Sequence, residues 1–216
     1  GRSSLIFAPV LPPPRSAAYH YHSPFQGCTS LISAPELPAT TLANYCYFCM
    51  FHGCTGLTVA PTLPATTLKP NCYNGMFSNC TSMTKAPMLP ATILESSCYL
   101  GMFSGCIGLT TAPTLPATKM ASLCYYRMFS GCTSLAIAPM LPATILEDSC
   151  YSMMFYKCTS LTAIPELPAT ALGNGSYEYM FSGCTKLKFS ETQTNEYTQV
   201  YRIPTSGDGV TGEMSF

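Results

Sequence analysis

Charge is scarce in this sequence. Lys, Arg, Asp and Glu make up 9% of its 216 residues, and 10 basic residues balance 10 acidic ones. Globular chains carry about a quarter charged residues. A neutral chain with so few bases has no electrostatic footprint for nucleic acid. The same neutrality argues against steering toward anionic lipid or acidic substrates. Tryptophan is missing, and Asp occurs only as Asp148 and Asp208. No Asp therefore recurs at a fixed interval. No run of about 18 apolar residues occurs, so no membrane-spanning segment is expected. There is no nucleophile elbow, phosphate-cradling glycine loop or repeated carboxylate pair. The expectation is a protein that is not an enzyme and takes no cofactor.

Apolar residues, by contrast, are plentiful. They make up 47% of the chain, which also has 19 Pro, 14 Tyr, 13 Cys and 12 Met. That content excludes disorder. It is ordered by a strict repeat. Ala-Pro begins at Ala8, Ala34, Ala60, Ala86, Ala112 and Ala138, and Ile164-Pro165 takes the seventh place, each step being 26 residues. One column is always Leu, from Leu11 to Leu167. A second is always Tyr, from Tyr21 to Tyr177, a third Phe, from Phe25 to Phe181, and a fourth Cys, from Cys28 to Cys184. One unit cannot bury its own apolar side chains, whereas stacked units can, so the repeat predicts a solenoid. At one strand spacing per repeat it would be roughly 34 Å long.

Within a repeat, Cys98, Tyr99, Met102, Phe103 and Cys106 lie at i, i+1, i+4, i+5 and i+8. On a helix they cover an arc of about 140°, which predicts a short helix. Asn71, Ser97 and Ser149 stand where an N-cap would. The next residues, such as 134–138, predict a short parallel strand of roughly three to five residues, ended by proline. The expected fold is α/β, a right-handed solenoid of seven repeats. Residues 1–7 form a lead-in and 8–189 the solenoid. Repeat 8–33 is a degenerate cap, with His20 in place of Cys and Pro24 in place of Met. Residues 190–216 read as a β-hairpin-like cap or the start of a further region.

A further Cys column holds Cys46, Cys72, Cys98, Cys124 and Cys150, and Cys49 completes an odd count of 13. Adjacent rungs could be bridged by disulfides. Cysteine is also a small buried apolar residue, and buried free thiols acting as spacers are the expectation. Cys46, Cys49, His52 and Cys54 have zinc-like spacing. Cys46 and Cys54 belong to core columns, however, so no metal is expected.

A solenoid binds along a repeat surface. The column before Ala-Pro contains Val59, Lys85, Thr111 and Ile137, which are the candidate binding residues if the strand points them outward. The column after Ala-Pro contains Val10, Glu36, Thr62, Met88, Thr114, Met140 and Glu166. Neither column is rich in the aromatic or Arg anchors of binding hot spots.

The unit M-F-x-G-C-x-x-L, as in Met102-Phe103…Cys106…Leu109 and Met128-Phe129…Cys132…Leu135, resembles the BspA-like leucine-rich repeats of bacterial surface proteins. Similar repeats occur in mycoplasma surface lipoproteins. The resemblance covers about residues 8–189. It implies a secreted or cell-surface bacterial module that binds or adheres to a host extracellular protein or glycan, with no catalytic residues. A monomer is expected. The alternative is a structural spacer with no ligand of its own.

Overall fold

The computed structural model describes residues 4–12 and 18–187. The chain is a repeat solenoid whose 26-residue turns, numbered here as rungs 1 to 7 from Ala8, stack in register. The expected cap at 190–216 lies outside the described residues.

The aromatic columns become continuous ladders. Phe25 to Phe181 stack with ring centroids 5.6–5.7 Å apart and planes within 4–7° of parallel. Tyr21 to Tyr177 stack at 5.8–6.0 Å. Such pairs contribute about 0.5–1.5 kcal/mol each beyond area burial. The two Cys columns, the Met column and three sets of Leu fill the space beside them, nearly all fully buried.

The stretch expected as a helix is a ribbon of overlapping turns (residues 44–54 in rung 2 and their equivalents). Among the described residues there is no α-helix and no extended strand, so the α/β reading is not supported. The hydrogen bonds give the reason. In rung 4, the amides of Cys98, Leu100, Met102, Ser104 and Cys106 each donate to the carbonyl three residues back. The amides between them, at Ser97, Tyr99, Gly101, Phe103 and Gly105, donate instead to carbonyls of rung 5, with Phe103 N–H to Met128 O at 2.9 Å. Half the amides are thus committed to the neighbouring rung, where a helix would direct them along its own axis. Every fourth residue enters the left-handed region to allow this: Ser97 at φ 56°, Gly101 at 56° and Gly105 at 73°.

The irregular first rung disturbs this pattern in rung 2. Tyr47 has φ 62°, and its amide turns back to His20 O. In rungs 3 to 6 the equivalent amide points forward, as Tyr73 does to Cys98 O.

The opposite wall of each rung is the Ala-Pro-x-Leu-Pro-Ala-Thr arch. Proline removes amide donors from it, so the expected strands shrink to single-residue parallel bridges at the arch's two ends. At the first end, bridges join Ser33 to Val59 and Lys85 to Thr111. Thr162 N–H donates to Ala136 O at the same corner. At the second end they join Thr41 to Thr67, Ile93 to Lys119, and Ile145 to Ala171. The first set ties rungs 1–2, 3–4 and 5–6; the second ties 2–3, 4–5 and 6–7. The arches are therefore stitched like bricks, each rung to one neighbour at one corner and to the other neighbour at the other. Among the described residues, Ser33 alone bridges in both directions, to Val59 and to Phe7 of the lead-in.

Candidate binding surfaces

The arch places Val59, Lys85, Thr111 and Ile137 in one column, all exposed. Val59 and Ile137 are 63% and 77% accessible. Lys85 and Thr111 are joined directly by a bridge, so two candidate residues lie side by side on rigid backbone. Ile137 makes no bridge among the described residues.

The arch adds a second apolar set. Met88 and Met140 are 77% and 85% exposed, and Ile93 and Ile145 are 55% and 60% exposed. They come from rungs 4 and 6, which share the run M-L-P-A-T-I-L-E. Buried Leu89, Ala91 and Leu94 fix their direction, because they turn inward between the exposed positions. Sequence reasoning names Met88 and Met140 in the column after Ala-Pro without choosing them as binding residues, and it misses Ile93 and Ile145. The signal is the identity of alternate repeats, which matches the two-rung period of the bridges.

Between these residues runs a column of threonines, Thr40, Thr66, Thr92, Thr118, Thr144 and Thr170, all exposed. The arch is thus mainly methyl and hydroxyl groups, with Lys85 and Lys119 as cations among rungs 3 to 5.

The thiols are not poised for chemistry. None of the 13 cysteines is in a disulfide, and all but Cys49 are buried. Burial pushes the thiols of Cys54, Cys72 and Cys106 up to about 12, and those of Cys46 and Cys184 up to about 11. Cys150 is raised by a hydrogen bond with Cys124 and then by burial. The thiolate is the nucleophile and metal ligand, so these groups are held inert at neutral pH. In the Cys28–Cys184 column each thiol from Cys54 onward donates to the Phe carbonyl of the preceding rung at 3.0–3.1 Å. These cysteines are hydrogen-bonding rungs as well as spacers.

The zinc-like spacing does not gather a site. Cys46 and Cys54 are buried in the core, while the Cys49 sulfur lies over Gly75 of the next rung, 2.9 Å from where a Cβ there would be. Among the described residues no group of three or more His, Cys, Asp or Glu could hold a metal ion. Nor is any helix among them long and apolar enough to cross a membrane.

No protein-family model, curated protein or solved structure matches this chain.

Proposed function

We propose that the chain is a non-catalytic, cell-surface repeat module of the BspA-like kind that binds an extracellular host protein through the arch wall. The supporting observation is the set of exposed apolar side chains in the two columns, Val59 and Ile137 in one and Met88 and Met140 in the other. Exposed apolar groups on rigid backbone are what a protein partner buries at the centre of an interface. Thiols held far from ionisation support a role without covalent chemistry. The right-handed winding, the bacterial surface location and the monomeric state belong to the same proposal.

The test is binding of the purified chain to a panel of host matrix proteins and glycans. Saturable binding to a protein, lost when Lys85→Ser and Ile137→Ser are combined, supports the reading. Saturable binding indifferent to that pair moves the site off this column. A spacer function is the second reading, favoured by the unbroken ladders, and would give no binding across the panel.

A further inference from the structure

The ribbon wall carries a cluster that the arch does not involve. In rungs 5 and 6, Tyr126, Arg127, Met153, Tyr156 and Lys157 lie on its outer side. The Arg127 guanidinium sits over the Tyr126 ring, 5.4 Å from its centroid. Its Nε donates to Met153 Sδ at 3.0 Å, and the Tyr126 hydroxyl approaches the same sulfur at 3.7 Å. One turn along, the Lys157 ammonium sits 5.0 Å from the Tyr156 ring centroid. Each cation is steadied by an aromatic face.

Three features describe how this cluster is built. Arg127, Met153 and Lys157 all occupy left-handed backbone, at φ 54°, 54° and 58°. The column of Arg127 and Met153 also holds Ser23, Cys49, Gly75, Gly101 and Tyr179, and the column of Lys157 is otherwise glycine except at Asn79. The conformation is the ribbon's own, since Ser23, Cys49, Asn79 and Tyr179 adopt it in the same columns. Next, Gly183 leaves room for Lys157, because a Cβ there would come 2.9 Å from Lys157 Cγ. Finally, the two charges are uncompensated, since neither cation is in an ion pair among the described residues. The nearby acids are turned elsewhere: Asp148 accepts the Asn174 amide at 2.8 Å, and Glu178 Oε2 lies beside Gly175.

With Nε engaged by Met153, Arg127 keeps its terminal amino groups for a two-oxygen acceptor, such as a carboxylate or sulfate. The ribbon of rungs 5 and 6 has no exposed large aliphatic side chain. In register, Ser130 and Ser182 flank Tyr156, Leu100 precedes Tyr126 and Tyr179 follows Met153. Tyr126, Tyr156 and Arg127 are residue types that also anchor protein partners, but with no exposed aliphatic side chain beside them the surface favours a hydrated acidic polymer, which would meet hydroxyls, aromatic faces and two cations. We infer that this cluster is a binding site for an acidic polysaccharide, with Arg127 and Lys157 each taking a carboxylate or sulfate. The chain's zero net charge excludes long-range steering but not this local complementarity. The inference is independent of the proposed role of the arch.

The full chain is titrated with a sulfated hexasaccharide, its desulfated counterpart and a hexaglutamate peptide. The expected result is saturable binding of the sulfated sugar alone, weakening as salt rises. Combining Arg127→Ser with Lys157→Gly should weaken it by about tenfold or more, as two charge-assisted contacts are lost. That variant should fold, because Ser23 and Gly183 already occupy those columns. Lys69→Ala with Lys119→Ala should leave binding unchanged. Four results would overturn the inference: no saturable binding, equal binding of the neutral sugar, peptide binding as tight as sugar binding, or equal losses in both double variants.

Discussion

Replacing Gly101 by alanine separates the turn ribbon from a helix by the sign of its effect. Gly101 is buried in the middle of the rung 4 ribbon at φ 56°. A Cβ there would meet nothing closer than Ser104 Cβ at 3.9 Å, an ordinary contact. The effect is therefore one of backbone conformation rather than packing. The left-handed region costs a non-glycine residue about 1–2 kcal/mol. Alanine also reduces the freedom of the unfolded chain, which returns roughly 0.4–1 kcal/mol. The net expectation is a loss of about 0.5–1 kcal/mol, the difference of those two terms. In a helix the same substitution would stabilise by about 1 kcal/mol. Urea unfolding followed by far-ultraviolet circular dichroism reads the difference directly. A gain in stability for Gly101→Ala would refute the ribbon.

Cys106→Ala removes the thiol donor to Phe77 O and a buried sulfur, and should lower stability by about 1–3 kcal/mol in the same assay. Phe103→Ala opens the ladder on both sides and should cost about 3–5 kcal/mol, read as a shift of the urea midpoint. Stability should also fall at alkaline pH. The buried thiols have folded values of about 11 to 12 against an ordinary 9.0. A raised folded value means that the stabilisation is complete below about 9 and is lost as pH rises toward 12. Melting temperatures measured from pH 7 to 11 should stay level to about 9 and then drop.

Much of the core is legible in the sequence. The Leu, Tyr, Phe, Met and Cys columns all turn inward because a 26-residue period leaves each side chain facing its own copies. The ribbon reads as a helix in the sequence because both forms bury the same positions. The buried pairs Cys98-Tyr99 and Met102-Phe103, then Cys106, recur every four residues. An α-helix drifts about 40° over such an interval, whereas left-handed residues at Ser97, Gly101 and Gly105 hold the ribbon to it. Glycine at Gly101 and Gly105, again four apart, is the available cue. The brick-like stitching is hidden, since single-residue bridges leave no periodic signature beyond the likeness of rungs 4 and 6. Val59, Lys85, Thr111 and Ile137 stand out because the column before Ala-Pro varies freely. The Arg127–Lys157 cluster escapes notice in the sequence because its members look ordinary until the stacking brings Met153 against Arg127.

The most direct test is the scalar coupling across hydrogen bonds at the Phe77 amide, measured by nuclear magnetic resonance on labelled protein. The ribbon predicts coupling from Phe77 nitrogen to the carbonyl carbon of Met102, 25 residues ahead, across a bond of 2.9 Å. Coupling to the carbonyl of Tyr73, four residues back, would mean a helix and would contradict the account.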